Sequence, residues 1–453
     1  MTANRASTDN GSSQSPLLRK LGLHRRELRA WAMYDWAASS AQTTIAVAVF
    51  PIFFLEVAGA GRPQAEGLSY WSIANGIGLA ISTVLSPILG TISDYAAVKK
   101  RMLGFFMGVG VSACSLMYLI QSGQLMLASI LFIFANVGMQ GSYVFYESLL
   151  PHVAREDEMD RVSTAAYAIG YIGGGILLAL NLAWITKPAL FGLPATGTVP
   201  VRLAFLSVAI WWLLFSIPIL RVVKEPPVKL EADEQRGLNP VKVAFQRLAE
   251  TFQALRGYKQ AFLMLIAYLI YSDGIGTITR MAATYGTELG IPRSSLITAI
   301  LLVQFIGIPF TFAFGMLAGR LGTKPAIFVG LTVYAIISIF GYYMKTATHF
   351  YILALLVGTV QGGTQALSRS LFASIIPAYK SGEFFGFFSV FSRFAGILGS
   401  LLFGVIVART GTMRPAILAV ISFFIVGGFL LYFVNVDEGQ RKAREEEAKA
   451  RVA

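Results

Sequence analysis

The segment WAMYDWAASS, residues 31–40, places a carboxylate inside an apolar stretch. It opens a run from Trp31 to Val57 in which Asp35 and Glu56 are the only acidic or basic residues. A run of that length can cross a bilayer as a helix, where a carboxylate is costly unless it is paired or faces a cavity. Asp35 is therefore a candidate for holding a cationic group or for carrying a proton.

Polar residues recur at helical spacing in four of the apolar segments. Side chains at positions i, i+4 and i+7 share one face of a helix. Carboxylates, guanidinium groups and amides on such faces could together bind a solute that carries both signs of charge. The four stripes are Asp35, Ser39 and Gln42; Asn136, Gln140, Tyr143 and Glu147; Asp273, Thr277 and Arg280; and Gln361, Gln365 and Arg369.

The charged residues admit more than one role. Asp273 lies near the middle of its segment, as does Arg393 in the eleventh segment, so we predict a cavity or ion-pair role for both. Asp35, Arg369 and Glu147 lie nearer one end of their segments and could be substrate contacts or partners in a gate. The uncharged members of the stripes could instead only hydrogen-bond neighbouring helices, with a gain of about 0.6 kcal/mol each.

The composition identifies an integral membrane protein. Of 453 residues, 55% are hydrophobic and 13% are charged, and the mean hydropathy is +0.63. A single cysteine, Cys114, excludes an internal disulfide, and the three histidines fall at segment ends, so no metal or other cofactor is expected. There is neither a Walker-type phosphate loop nor a nucleophile with a paired histidine inside a segment, so the sequence predicts no ATP-driven pump and no enzyme.

Twelve apolar segments follow one another along the chain, six on each side of a polar linker. We divide the chain into a disordered N-terminal tail (1–25), a six-helix bundle (26–222), a linker with an amphipathic helix (223–258), a second six-helix bundle (259–435) and a charged tail (436–453). The segments lie at residues 31–57, 67–93, 102–120, 124–150, 161–185, 201–220, 260–289, 295–319, 325–344, 349–376, 383–408 and 413–434.

Basic residues are distributed unevenly between the two sides of this arrangement. Most of the 37 Lys and Arg residues fall in the tails, the linker and the alternate loops that share one side. The positive-inside rule predicts that this side, with both termini, is cytosolic. The net charge of +13 is thus explained by topology, and nucleic-acid binding is not expected.

The two halves of the chain are related by an internal repeat. Ordered matches at a nearly constant offset join the second, fourth and fifth segments to the eighth, tenth and eleventh. Transporters are often built by such duplication of a helix bundle. The matched pairs include Gly90 with Gly315, Lys99 with Lys324, Pro151 with Pro377, Ser163 with Ser389, Gly170 with Gly396, Gly173 with Gly399 and, in the first and seventh segments, Asp35 with Asp273.

The loop GTISDYAAVKK, which begins at Gly90, resembles the loop motif between helices two and three of the major facilitator superfamily. Asp94 and the following basic residues fit that motif, whereas Tyr95 and Ala97 differ from it. The resemblance implies two six-helix bundles around a central cavity that helices one, four, seven and ten line. Asp94 is expected to face the positive N-terminus of a neighbouring helix. With the second copy, GMLAGRLGTK, the predicted gate residues are Gly90, Asp94, Lys99, Arg101, Gly315, Arg320 and Lys324.

Two further groups of residues are predicted to be structural. Trp31, Tyr34 and Trp36 lie at the start of the first apolar run and are expected to form part of an aromatic belt at the membrane interface. The glycine runs 173–175 and 362–363 are expected to allow close packing of helices and to act as hinges.

A narrower resemblance extends over nearly the whole chain. WAMYDWAASS, YSDGIGTITRMAATYGTEL from Tyr271 and QGGTQALSRSLFASIIP from Gln361 are similar to the vacuole-effluxer-like branch of the superfamily, also called the unknown major facilitator family. Its characterised eukaryotic members export amino acids from the vacuole to the cytosol. The resemblance therefore implies transport of an amino-acid-like solute.

We predict a secondary active transporter that moves a small polar or zwitterionic solute by rocking two halves about a central site. An arginine would hold the substrate carboxylate and an aspartate the ammonium or the coupling proton. The alternatives are an exporter of other small molecules or drugs and, from a different class, a receptor or enzyme on the same scaffold. The predicted substrate-binding residues are Asp35, Ser39, Gln42, Gln140, Tyr143, Asp273, Thr277, Arg280, Gln361, Gln365, Arg369 and Arg393.

The remaining predictions concern coupling and location. Asp273, Asp35 and Glu147 are the candidates for proton coupling, because no histidine lies within the membrane segments. We expect a monomer that spans the cell (cytoplasmic) membrane and contacts its lipids. A small-molecule substrate is the expected partner, with protons as the candidate coupling ion.

Overall fold

The computed structural model describes residues 16–194, 196–227, 258–394 and 397–452, and the regular elements in these ranges are all helices. Eleven helical runs in the described ranges are long and apolar enough to cross a membrane. They match eleven of the predicted segments, and the segment 383–408 corresponds to two shorter helices on either side of residues 395–396. The helices are α1 (Arg26–Ala58), α2 (Gln64–Ala96), α3 (Lys99–Leu119), α4 (Leu125–Ser148), α5 (Met159–Thr186), α6 (Val199–Val222), α7 (Lys259–Glu288), α8 (Arg293–Leu321), α9 (Thr323–Tyr343), α10 (Ala347–Ser374), α11a (Ser381–Phe394), α11b (Ile397–Thr410), α12 (Arg414–Tyr432) and α13 (Val436–Val452).

Part of the predicted disordered tail, residues 1–25, is helical or buried in the structure. Residues Pro16–Lys20 form a short helix, and Leu23 is buried. Leu18 and Leu21 pack against the same apolar core, which explains why this part of the tail is held in place. Residues 1–15 and residues 228–257, which include the predicted amphipathic helix of the linker, lie outside the described residues.

The first and last described segments of the chain lie on the same side of the molecule, which we call the terminal face. Arg25, just before α1, pairs with Glu158, and Arg444 in α13 pairs with Glu156, and both glutamates lie in the connection between α4 and α5. His24 also approaches Glu158, at 3.5 Å. Burial and then the neighbouring Arg25 lower the pKa of His24, so Arg25 provides the positive charge near neutral pH.

The two bundles meet at the terminal face through close helix contacts. Helix α2 packs against α11a, and α5 packs against α8 and α10. A Cβ atom at Gly90 would lie 2.1 Å from the carbonyl oxygen of Gly382, and one at Gly315 would lie 2.2 Å from Thr164 Oγ1. The two glycines matched by the repeat are thus both placed where one bundle touches the other.

Glycine also governs packing within the bundles. A Cβ at Gly173 would lie 2.5 Å from the carbonyl oxygen of Trp36, and one at Gly363 would lie 2.2 Å from Phe314 Cγ. The predicted close packing at these two glycines is confirmed. Gly175 is different, because nothing lies within 4 Å of a Cβ built there.

Helix α13 lies across the terminal face and contacts both bundles. Glu447 Oε1 accepts a hydrogen bond of 2.7 Å from the N–H of Ala378, in the connection between α10 and α11a. Arg444 pairs with Glu156 of the first bundle. The charged tail predicted from the sequence is therefore a helix that joins the two halves.

Candidate substrate and gate site

Asp35 and Arg369 form a buried ion pair between the two bundles. Asp35 Oδ2, on α1, lies 3.4 Å from Arg369 Nη1, on α10, and accepts a hydrogen bond of 2.8 Å from the Tyr146 hydroxyl. Arg369 also donates from Nε to the Ser163 hydroxyl and from Nη2 to the Ser163 carbonyl oxygen, at 3.0 and 3.1 Å. Both charged side chains are buried, so these groups compensate for the water that each charge has lost.

Aromatic rings surround the guanidinium group of Arg369. Its central carbon lies 4.4 Å from the ring centroid of Tyr167, 5.0 Å from that of Trp31 and 5.5 Å from that of Tyr146. These distances are within the roughly 6 Å over which an aromatic face attracts a cation. Glu147, the residue after Tyr146 on α4, is partly exposed.

Trp31 and Tyr34 are buried inside the first bundle. Both are 0% exposed, and Trp31 Nε1 donates to the carbonyl oxygen of Tyr146 at 2.9 Å. The prediction of an interfacial belt is wrong for these two residues, because α1 begins at Arg26 and carries the start of the apolar run into the bundle. Trp36 keeps partial exposure and stacks on Trp211.

Asp94, on α2 of the first bundle, contacts the N-terminus of α11a in the second bundle. Its carboxylate accepts the backbone N–H groups of Gly382 at 3.1 Å and Glu383 at 2.8 Å, and Lys99 Nζ lies 2.7 Å from Oδ1. Lys99 also donates to the Ser381 hydroxyl at 2.7 Å. The predicted contact between this acid and a helix N-terminus is present, and it joins the two bundles.

The second copy of the loop motif receives its acid from the other bundle. Gly319 occupies the position that corresponds to the acid, and a Cβ there would meet nothing within 4 Å. Asp160 on α5 instead accepts hydrogen bonds from the hydroxyls of Thr323 and Ser370, at the start of α9 and in α10. The two repeat-related interfaces thus each contain a carboxylate, reached in different ways.

The other basic gate candidates lie away from the interface between bundles. Lys324 Nζ donates to the carbonyl oxygens of Tyr432 and Val434 at 2.7 and 2.8 Å, at the end of α12 in its own bundle. Arg101 and Arg320 are exposed. Among the described residues, these three basic side chains make no ion pair across the interface. The charged gate candidate that contacts the opposite helix terminus is Asp94, with Lys99 beside it.

Asp273 and Thr277 pack against α11b. Both are 0% exposed, so these two members of the α7 stripe do not face an open cavity in this conformation. Asp273 Oδ2 accepts the N–H of Gly399 at 2.9 Å, and a Cβ at Gly399 would lie 1.9 Å from Thr277 Oγ1. The absence of a side chain at Gly399 lets the helices approach closely and buries Asp273 and Thr277. The side chains of Arg280 and Arg393 lie outside the described part of the structure.

Gln361 and Gln365 are the partly exposed residues between positions 360 and 373 of α10. Every other residue from 360 to 373 is buried, and α10 packs against α5, α7, α8 and α9. The two amides lie one helical turn apart and therefore share the side of α10 that remains open. The other predicted substrate residues with access are Ser39, Gln42, Gln140 and Tyr143 on α1 and α4.

The sequence analysis does not predict the roles of Tyr146, Ser163, Tyr167 and Asp160. Tyr146 lies three residues after Tyr143, so it extends the stripe of α4, and Ser163 and Tyr167 are spaced i, i+4 on α5. A search for polar and aromatic residues at helical spacing in the fifth segment could have found the latter two.

Residues 23–444 match the model of a protein family that is described as vacuole effluxer Atg22 like. The chain belongs to this family. The uncharacterized MFS-type transporter YxiO of Bacillus subtilis is 36% identical over 417 residues, which cover 90% of this chain and 95% of that protein. Autophagy-related protein 22 of Kluyveromyces lactis is 26% identical over 380 residues, which cover 77% of this Atg22-like chain and 75% of that protein.

Solved structures of major facilitator superfamily transporters have the same fold. The proton:xylose symporter XylE, bound to 6-bromo-6-deoxy-D-glucose, has a TM-score of 0.68 at 14% identity, covering 96% of this chain and 99% of that chain. FucP in the outward conformation has a TM-score of 0.67 at 13% identity, covering 92% of this chain and 99% of that chain. Together with the family match and the similarity to the MFS-type transporter YxiO, this fold identifies the Atg22-like chain as a multi-pass membrane transporter of this superfamily and not an enzyme, as predicted.

Proposed function

We propose that this Atg22-like protein transports an amino-acid-like zwitterion by alternating access, and that the structure represents the conformation in which the terminal face is closed. The observation that carries the proposal is the ion pair between Asp35 and Arg369, which has one charge on each bundle. When the bundles separate at this face, the pair breaks and leaves a carboxylate opposite a guanidinium group.

A zwitterion compensates both groups at once. Each separated charge would otherwise pay a desolvation cost of several kcal/mol in a cavity of low dielectric. The substrate ammonium pairs with Asp35, and its carboxylate makes a charge-assisted, two-point contact with Arg369. Gln361 and Gln365 provide amide groups on the same helix as Arg369. An uncharged sugar or an apolar drug would leave both charges without a partner.

The sidedness and coupling follow the sequence predictions. The terminal face is cytosolic, in agreement with its Lys and Arg residues, and the protein acts as a monomer in the cell membrane. Asp273, Asp35 and Glu147 are the candidate proton carriers. The described contacts at the terminal face correspond to a state that is closed on the cytosolic side.

Purified protein in proteoliposomes tests the proposal. Uptake of a panel of radiolabelled amino acids is measured with and without an imposed proton gradient, with empty liposomes as the control. We expect at least one zwitterion to accumulate, and Asp35→Asn to reduce its apparent affinity. The proposal is overturned if the protein moves only uncharged sugars or apolar compounds, or if it binds an amino acid but never carries it across.

A further inference from the structure

The cluster around Arg369 is divided unequally between the two bundles. The second bundle contributes two groups, both on α10: the Arg369 side chain and the Ala366 carbonyl oxygen, which accepts a hydrogen bond of 2.8 Å from the Ser163 hydroxyl. The groups that Arg369 contacts all belong to the first bundle: Trp31 and Asp35 on α1, Tyr146 on α4, and Ser163 and Tyr167 on α5. We call these five residues the cation receptor.

The cation receptor meets the requirements of a buried organic cation. Asp35 supplies the opposite charge, the Ser163 hydroxyl and carbonyl oxygens accept hydrogen bonds, and the rings of Tyr167, Trp31 and Tyr146 lie 4.4 to 5.5 Å from the guanidinium carbon. Aromatic faces attract cations of this kind, and a weakly hydrated guanidinium loses less hydration on burial than a compact ammonium does.

Contacts within the first bundle hold three of the five receptor residues, Trp31, Asp35 and Tyr146, together. Trp31 and Tyr146 stack with centroids 4.4 Å apart, and Trp31 Nε1 donates to the Tyr146 carbonyl oxygen. The Tyr146 hydroxyl donates to Asp35. These contacts do not include Arg369, so they persist when α10 moves away with the second bundle.

We infer that the receptor, once Arg369 has withdrawn, binds the cationic group of the substrate and selects a guanidinium or an alkylated ammonium. Arg369 occupies the place of that group in the closed state. This inference rests on the proposed function and narrows its substrate class to amino-acid-like solutes with a weakly hydrated organic cation. The freed Arg369 then binds the carboxylate of the same solute.

Two isosteric probes test the selection in the wild-type protein. L-arginine and L-citrulline have nearly the same shape, but only L-arginine has a cationic side chain. We expect L-arginine to raise the Tm of purified protein at an at least tenfold lower concentration than L-citrulline does. Glycine betaine, compared with L-leucine, tests the alkylated ammonium in the same way. Equal potency within both pairs overturns the inference.

Substitutions of Tyr167 separate ring contact from general packing. Tyr167→Phe keeps the aromatic face, and Tyr167→Leu removes it at similar hydrophobicity. We expect Y167F to retain the preference for L-arginine over L-citrulline and Y167L to lose most of it. A preference that is unchanged in Y167L would contradict a receptor built on aromatic faces.

Chemical rescue tests the receptor without transport. Arg369→Ala empties the site. Millimolar methylguanidinium chloride should therefore raise the Tm of R369A saturably, relative to the Tm in equimolar NaCl. A ligand that binds the folded state stabilises it in this way. Wild type should not respond, because methylguanidinium has no carboxylate to pair with the displaced Arg369, and R369A with Y167L should not respond because the ring contact is lost. Equal effects of both salts on R369A overturn the receptor.

The two proposals can fail separately. If L-citrulline is transported as well as L-arginine, and methylguanidinium does not rescue R369A, the receptor is refuted and zwitterion transport stands. If no amino acid is transported but methylguanidinium rescues R369A, the receptor is supported and the proposed transport function is refuted.

Discussion

Arg369 makes contacts that depend on the shape of its side chain as much as on its charge. Three of its nitrogen atoms bond to separate acceptors on α1 and α5, and a planar group is needed to lie against the ring of Tyr167. A lysine ammonium has one nitrogen atom at the end of a flexible chain and cannot reach all of these groups together. At the scale of single residues, the site therefore requires arginine.

Substitution of Arg369 with lysine should lower transport of the identified solute at least about tenfold, which corresponds to about 1.4 kcal/mol. The matched control is Arg101→Lys at an exposed position, and this variant should transport at the wild-type rate. Initial uptake rates in proteoliposomes over a range of substrate concentrations provide the measurement. An R369K protein with wild-type kinetics would rule out the two-point contact.

At the scale of helices, α2 and α11a can touch because neither has a side chain at the point of contact. A Cβ at Gly90 would lie 2.1 Å from the carbonyl oxygen of Gly382, and backbone cannot yield as the end of a flexible side chain can. In the same helix, a Cβ at Gly76 would meet nothing within 4 Å. Substitutions at Gly90 and Gly76 therefore distinguish the effect of losing the helix contact from the effect of replacing a glycine within α2.

Gly90→Ala should prevent full closure of the terminal face, and Gly76→Ala should not. Cysteine residues introduced at that face should be labelled faster in G90A than in the wild-type background, while G76A should match the wild type. If G90A and G76A give the same labelling rates, the contact between α2 and α11a does not control closure.

Asp94 should tolerate glutamate better than asparagine. The position supplies a negative charge to the N-terminus of α11a, worth about 0.3–1 kcal/mol or more when partly buried, and D94N would also leave Lys99 without its ion pair. Uptake by D94E and D94N, compared at equal protein amounts, provides the measurement. A D94N protein that transports at the wild-type rate would refute a gate role for Asp94.

The sequence predicts helices and their faces better than it predicts partners between helices. Hydropathy located the membrane segments, because a bilayer sets their length and composition, and the loop motif identified Asp94. Spacing placed Asp35 on a polar face but could not say that Arg369, more than three hundred residues later, would be its partner. The burial of Asp273 depends on Gly399 in another helix, and periodicity within α7 contains no information about that contact.

At the scale of the whole molecule, transport against a gradient requires that some group binds the coupling ion in step with the motion of the bundles. Asp273 joins α7 to α11b through the amide of Gly399, within the second bundle. Its carboxylate is buried between these helices. Asp273 is therefore placed where gain or loss of a proton would alter how two helices of one bundle pack.

Asp273→Asn should abolish accumulation driven by a proton gradient and leave exchange of substrate across the membrane. The amide oxygen of asparagine can still accept the Gly399 N–H, so the fold should be kept, as a wild-type Tm would verify. Accumulation and counterflow are measured in the same proteoliposome preparation. Unchanged accumulation by D273N would remove Asp273 from the coupling mechanism.

In the described contacts between the halves, the carboxylates belong to the first half, and this asymmetry affects how the two halves would assemble as separate polypeptides. Among the described residues, four carboxylates of the first half accept hydrogen bonds from the second half or form salt bridges with it: Asp35, Asp94, Glu156 and Asp160. Two copies of the first half facing each other would bring these carboxylates together, and the resulting repulsion disfavours such a homodimer. Residues 1–227 and 228–453, co-expressed as two chains, should accordingly assemble as a heterodimer, and affinity purification through one chain should recover the other at equal stoichiometry.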